Sequence, residues 1–313
     1  MSRPAPLDLP RVDGRRFVVT GGAAGIGYFA SERLAGLGAR VTIAARNAER
    51  AARAVAMIRS IHAHAIVDVV RLDLASLASV RDAAAAIADS GPVDGLIENA
   101  GVLPWDRVGE TEDGFDAVFG TNQLGHFALA ARLWPSFSPG GVLVALGSVT
   151  HRGQRLDFDD LESRRASRAT RYGRSKLAVM TTAVELDRRI RAARRAERSV
   201  IAHPGYATGA LDPLRPGVAG QRRSAATLGN AAFRTLVRGW ANSKQEGAEI
   251  IAAAAIVGAS GEYWGPEGGV WGLKGRARTE PLRGAVLDPD AGARLWTASE
   301  ELTGVEWTVA PTR

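Results

Sequence analysis

The stretch RFVVTGGAAGIG, residues 16–27, decides how this chain folds. Its first five residues form a short apolar, β-branched run, the composition of a buried strand. TGGAAGIG (20–27) then turns the chain, and helical sequence continues to about Gly38. Gly21, Gly25 and Gly27 let the backbone turn tightly and approach a pyrophosphate. Ala23 and Ile26 complete the turn, and the N-terminus of the following helix points at the anion's charge. Glycine also serves ordinary strand–helix turns. Here the turn follows the first strand of a βαβ unit, where a dinucleotide cradle belongs, and that context favours the functional reading.

Working outward, the same alternation repeats. RVTIAA (40–45) precedes an Ala/Arg-rich helix, IVDVVRLDL (66–74) precedes SLASVRDAAAAIAD, and DGLIENAG (94–101), GGVLVALGS (140–148) and RSVIAHPG (198–205) are further buried strands. A helix near Lys244–Ala255 and a last strand near GEYWGP (261–266) follow. Apolar strands separated by helices predict a parallel sheet covered on both faces. With right-handed crossovers this is an α/β chain with a Rossmann-type doubly wound parallel β-sheet of about seven strands. A single domain over 1–313 is expected, with a core of about 15–265, a loop-and-helix excursion at about 206–240 and a C-terminal tail at about 271–313. The tail contains one amphipathic stretch, GARLWTASEELTG, and otherwise reads as surface wrapping.

Composition removes several classes of function. The chain has no cysteine, which excludes a disulfide framework, a thiolate nucleophile and a thiolate metal site, and fits a reducing, cytoplasmic location. The five histidines are scattered without carboxylates at metal-ligand spacing, so no metal is expected. MSRPAPLDLPRVDGRR has no signal-type apolar core, and the longest apolar run, IIAAAAIVG (250–258), is too short to span a bilayer, so a soluble protein is expected. A formal charge of +7 raises the question of nucleic acid, but the arginines often sit beside acids. The densest basic run, RRIRAARRAER (188–198), reads as a solvated helix end, and no nucleic-acid partner is expected. A homo-oligomer is left open.

Cofactor choice is legible at the end of the second strand. VTIAARN (41–47) offers no acid until Glu49, and Arg46, followed by Asn47, stands at the loop. A carboxylate there would hold a ribose 2′-hydroxyl, whereas a guanidinium grips a 2′-phosphate with two hydrogen bonds, so NADP(H) is predicted. Asp73, followed by Leu74, is placed to accept from adenine; helix capping is its alternative, though Ser76 serves as well. Asn99, Ala100 and Gly101 follow the fourth strand, where small residues let backbone lie close to a ligand. RYGRSK (171–176) puts Tyr172 and Lys176 on one helix face, and Lys176 is one of only three lysines among 40 basic residues.

These segments resemble the short-chain dehydrogenase/reductase family: TGGAAGIG, Asp73-Leu74, the NAG at 99–101, TNQLGHF around Asn122, GSV around Ser148, YGRSK at 172–176 and HPG at 203–205 occur in family order over about residues 15 to 210. GEYWGP and RLWTASEELTG look like the retinol-dehydrogenase-like branch, which includes relatives of protochlorophyllide reductase. The resemblance implies Tyr172 as general acid/base, Lys176 as its partner on the nicotinamide ribose, Ser148 as orienter of the substrate oxygen, and Asn122 as holder of a relay water. Pro204, Gly205 and Thr208 would border the nicotinamide. Lys176 and the oxidised nicotinamide would lower the Tyr172 phenol toward neutrality. The implied activity is NADP(H)-dependent interconversion of a carbonyl and an alcohol. Leu103, Trp105, Val149, Phe158 and Leu211 point to a small lipophilic or aromatic substrate. The alternatives are C=C reduction on the same scaffold and an NADP(H)-sensing binding protein. Glu98 replaces the first of the family's usual two asparagines, Gly147 replaces the first of two serines, and Gly209 stands where a threonine is usual, with Thr208 one residue early.

Overall fold

The computed structural model describes residues 7–105, 109–208, 212, 215–218, 241–268 and 272–311. The opening stretch forms strand β1 (Arg16–Thr20) and helix α1 (Gly25–Gly36), and the alternation continues with β2 (Arg40–Ala45), α2 (Ala48–Ile61), β3 (Ile66–Arg71), α3 (Leu77–Asp89) and β4 (Val93–Glu98). A helical turn α4 (Ala117–Phe119), a π-helical turn (Gly120–Leu124) and α5 (Gly125–Leu133) lead to β5 (Phe137–Leu146), then α6 (Arg168–Ala192) and β6 (Arg198–Ala202). Two-residue strands β7 (Ala207–Thr208) and β8 (Asn242–Ser243) pair with each other; α7 (Lys244–Val257), β9 (Tyr263–Gly268), β10 (Lys274–Glu280) and α8 (Pro289–Thr303) complete the chain.

The main sheet has eight strands in the order β10-β9-β6-β5-β4-β1-β2-β3. Pairings from β3 to β9 are parallel, and β10 joins β9 antiparallel. Strand order reverses between β1 and β4, which opens a crevice at their carboxyl ends, where ligands of such sheets bind. Alternate residues of β1 serve opposite faces, as strand geometry requires: Phe17 and Val19 pack with α1, α2 and α7, and Val18 packs with α3, α5 and α6.

The structure adds three details to these expectations. The strands expected from the sequence are present, but the tail adds an eighth, β10, whose sequence KGRARTE carries no apolar alternation. It is an edge strand needing only β9 beside it, so charge is tolerated and hydrophobic pattern does not reveal it. The tail is also more than wrapping. Trp296 and Trp307 are 1% and 2% exposed and pack edge-on against Phe127 of α5, while the Arg189 guanidinium covers Trp296. The basic run is tied by ion pairs rather than merely solvated: Arg188 and Arg189 hold Glu185, Arg191 holds Asp187 and Arg195 holds Glu197. Among the described residues, no helix is long and apolar enough to cross a membrane.

Candidate active site

The glycine turn has the geometry of an anion cradle. Gly21 and Gly25 lie at φ 65° and 58°, in the left-handed region. A Cβ on Gly25 would meet nothing within 4 Å, whereas one on Gly27 would lie 2.3 Å from Asn99 Nδ2 and 2.6 Å from the Gly21 carbonyl. Gly25 thus borders open space, and Gly27 permits close packing under the turn. Ala24, at the cap of helix α1, offers no side-chain cap and the first turn holds no acid, which leaves the helix's N-terminal amides for an anionic group. A dinucleotide pyrophosphate fits this donor set. Ala23 is buried in the turn and Ile26 is half-buried.

At the carboxyl ends of β2 and β3, Arg46 is largely exposed and forms an ion pair of 3.7 Å with Asp73. Asn47 caps α2 by accepting from the Arg50 amide at 2.8 Å, so its side chain is occupied in the fold. Ser76, not Asp73, caps α3, while Asp73 accepts from Ala75 N. Leu74 is buried, and its carbonyl lies so close to α5 that a Cβ on Gly125 would come within 2.3 Å of it. Asn99 donates to the Thr20 carbonyl at 2.8 Å and Ala100 N donates to Thr20 Oγ1 at 2.9 Å, which fastens the end of β4 to the glycine turn.

The residues expected to handle protons converge at the ends of β4 and β5. Ser148 follows β5, half-buried, and its Oγ accepts from the Thr150 amide and hydroxyl. Tyr172 is half-buried on α6, and burial raises its phenol above the ordinary value while the Ser148 hydroxyl opposes that rise. The expected lowering by Lys176 does not register in the protein alone; desolvation outweighs the one opposing cause, the Ser148 hydroxyl. Lys176, one turn on, is 7% exposed and donates to the Leu146 carbonyl at 2.8 Å. Its Nζ would stand 3.8 Å from a Cβ on Gly101, beside the Asn122 amide. Burial pushes the ammonium down to about 8, opposed by Glu98. Asn122 sits in the π-helical turn; its Oδ1 accepts from Val102 N at 2.8 Å, and its Nδ2 donates to the Val102 carbonyl and to Ser175 Oγ.

Two residues given no role from the sequence enter here. His126 Nδ1 lies 2.9 Å from the Asn122 carbonyl, and its Nε2 lies 2.9 Å from Thr20 Oγ1. A carbonyl only accepts, so Nδ1 carries the hydrogen and Nε2 accepts from the threonine hydroxyl. This neutral form agrees with burial pushing the imidazole down to about 4. TNQLGHF carries the one available signal, a histidine four residues after Asn122 on the same helical face. Thr20, at the last position of β1, gives no signal of its own.

The HPG turn packs against the end of β9. Gly205 has φ 78°, and a Cβ there would lie 2.5 Å from the Leu273 carbonyl; Pro204 is buried against Gly247. Thr208 is placed through its backbone, paired with Ser243. Gly209, Leu211 and 219–240 of the excursion lie outside the described residues. Trp105 is exposed and Leu103 and Val149 are half-buried, in keeping with a wall. Phe158 differs: the Arg294 guanidinium stacks on it at 3.9 Å, and it packs against the cluster of Phe119, Leu124 and Leu295. An aromatic far from a turn is drawn to apolar neighbours, which sequence distance hides.

Fold and site together define a doubly wound, dinucleotide-dependent oxidoreductase. A sequence model described as short chain dehydrogenase matches residues 15–191, and the chain belongs to that family, in its retinol-dehydrogenase-like branch. It is similar to polyprenol dehydrogenase of Mus musculus, 36% identical over 96% of this chain and 87% of that one. It is also similar to retinol dehydrogenase 13 of Homo sapiens, 33% identical over 94% and 86%. Among solved structures, a putative uncharacterized protein from Mycobacterium Paratuberculosis superposes with a TM-score of 0.76 at 30% identity, covering 96% of this chain and 97% of that one. A short chain dehydrogenase from Burkholderia cenocepacia J2315 in complex with NADP superposes with a TM-score of 0.59 at 25% identity, over 79% and 93%.

Proposed function

We propose that the chain is an NADP(H)-dependent oxidoreductase that interconverts an alcohol and a carbonyl on a lipophilic small molecule. The observation that carries this reading is the convergence of Ser148, Tyr172 and Lys176 at the strand ends facing the uncapped glycine turn. Ser148 would orient the substrate oxygen, and Tyr172 would give a proton to that oxygen or take one from it. Lys176 has one hydrogen bond to protein among the described residues, which leaves its other two donors for a ribose. Asn122 would hold the Val102 backbone and Ser175 in place around it. When bound, NADP(H) supplies or accepts the hydride.

Arg46, with no acid at the end of β2, supports NADP(H) over NAD(H), and a similar structure holds NADP. Arg46 is shared with Asp73, but an exposed pair of this kind is worth about 1 kcal/mol or less and yields to a phosphate. The relatives' names, polyprenol and retinol dehydrogenase, refer to apolar primary alcohols and support a lipophilic substrate. The test is a panel of apolar aldehydes and ketones with NADPH, comparing the wild type with Tyr172→Phe. Turnover falls by about 10²-fold or more in the variant while NADPH affinity holds; carbonyl turnover that survives the change overturns the mechanism. Arg46→Ala weakens NADPH by roughly tenfold and leaves NADH unchanged; equal affinities in both proteins would refute the cofactor choice.

A further inference from the structure

Strand β4 ends in Glu98, directly before the Asn99–Gly101 segment that borders the site. Glu98 lies opposite Ala145 of β5, the neighbour of Leu146, whose carbonyl holds the Lys176 ammonium. Its side chain is 8% exposed and lines a small cavity with Gln123, His126 and Thr182, under the helices that carry Asn122 and Lys176. Among the described residues no hydrogen bond or salt bridge reaches the carboxyl; the one charge that registers on it is Lys176. An unpaired buried acid is costly, and the asparagine usual at this place in the family would avoid that cost.

We propose that Glu98, an acid buried under the strand end beside the carbonyl that holds Lys176, is a positioning residue for the reaction whose negative charge, where it forms, stabilises the Lys176 ammonium. The inference rests on the reading of Tyr172 and Lys176 as the proton-handling pair. The groups facing the two partners are His126 on α5, His203 at the end of β6 and Tyr172 one helical turn away. Both histidines are buried and pushed down to about 4, so they stay neutral above mildly acidic pH. The neutral-to-alkaline range therefore belongs to Glu98, Lys176 and the phenol. Burial pushes Glu98 up to about 8 and Lys176 down to about 8, and their attraction opposes both movements. They titrate as a coupled pair. At lower pH the carboxyl is neutral and Lys176 is charged without help. As pH rises the carboxylate forms, and its charge then holds the lysine proton to higher pH than the cavity alone allows. The ammonium thus persists through the range in which a buried phenol most needs a cation beside it.

The scarcity of lysine makes a direct test practical. The full chain labelled with [ε-¹³C]lysine contains only Lys176, Lys244 and Lys274, and the Lys176 signal is identified by its loss in Lys176→Met. In cofactor-free protein, Glu98→Gln moves the Lys176 midpoint to lower pH by about one unit or more. An unmoved midpoint overturns the proposal. Glu98→Asn provides the same test if the glutamine variant folds poorly. In carbonyl reduction with NADPH, wild type and Glu98→Gln agree within about twofold near pH 6, where the carboxyl is neutral. The variant is about fivefold slower or worse near pH 9. A loss of equal size at every pH marks a structural role and also overturns the proposal. The NMR titration needs no turnover, so failure of the proposed activity and failure of the Glu98 assignment are read separately.

Discussion

Replacing Gly25 or Gly27 by alanine separates a nucleotide cradle from an ordinary strand–helix turn. In the protein alone Gly25→Ala meets no atom within 4 Å, and its cost is the left-handed backbone at φ 58°. That conformation costs an L-residue about 1–2 kcal/mol. For a chain of this size, such a loss lowers the melting temperature by roughly 1.5–3 °C. Gly27→Ala places its methyl 2.3 Å from Asn99 Nδ2 and 2.6 Å from the Gly21 carbonyl, and the carbonyl is backbone that cannot swing aside. Overpacking of this kind costs about 1–3 kcal/mol, and loss of the 2.8 Å hydrogen bond from Asn99 to Thr20 adds about 1 kcal/mol. The expected fall is then about 2–4 kcal/mol, or roughly 3–6 °C. The binding assay distinguishes the two further. If the open space over Gly25 belongs to the pyrophosphate, Gly25→Ala weakens NADPH by about tenfold or more, well out of proportion to its mild effect on melting. Calorimetric titration of NADPH beside thermal unfolding of both variants measures this. Gly25→Ala protein that binds NADPH as tightly as wild type would falsify the cradle.

Two further predictions concern stability. Trp307→Ala removes a side chain packed against Phe127, Trp134 and Trp296, and should cost about 3–5 kcal/mol in urea unfolding; a change below about 1 kcal/mol would mean that the tail is not part of the core. His126 and His203 have folded values depressed to about 4 from 6.5, so the unfolded chain binds more protons between these limits. Their contribution is complete above pH 6.5 and is lost as pH falls, by about 2 kcal/mol per histidine between pH 7 and pH 5. Urea unfolding at those two pH values should show a flatter dependence once both are replaced by glutamine, and an unchanged slope would contradict neutral burial of the pair.

How far the sequence reached follows from what each residue needs. Strands β1, β2 and β4 to β6 and the glycine turn were legible because a sheet buried on both faces demands continuous apolar runs, and only glycine adopts the turn's backbone; β3, at the opposite edge, was legible from its β-branched run although much of it is exposed. β10 was not, because an edge strand makes no such demand. Tyr172 and Lys176 were legible as a pair because helical spacing places them on one face. Glu98 was legible only as an oddity: in a strand buried on both sides, alternation does not distinguish the site from solvent, and that outcome depends on which helices cover the strand end. Phe158 was assigned to a wall by proximity in sequence, yet Arg294, far along the chain, draws it elsewhere. His126 depended on Thr20, more than a hundred residues away, which no local pattern records.

That last contact changes how the two halves of the site are to be understood. Thr20 Oγ1 accepts from Ala100 N, beyond β4, and donates to His126, whose Nδ1–H bonds the Asn122 carbonyl. The cradle and the proton-handling residues are therefore joined through one neutral imidazole and one hydroxyl, which also lies 3.3 Å from the Ile97 carbonyl. Burial keeps His126 neutral, so with its Nδ1–H on the Asn122 carbonyl its Nε2 is an acceptor that competes with the Ile97 carbonyl for the Thr20 hydroxyl. Lys176 shows the same logic with opposite charge. Its 2.8 Å bond to the Leu146 carbonyl and its place beside Gly101 and Asn122 suit a compact ammonium. Arginine, the chain's habitual base, is a broad fork locked as a cation, and it could neither fit this place nor respond to Glu98. The lysine at 176 is thus kept for its size and for a proton that a neighbouring charge can regulate.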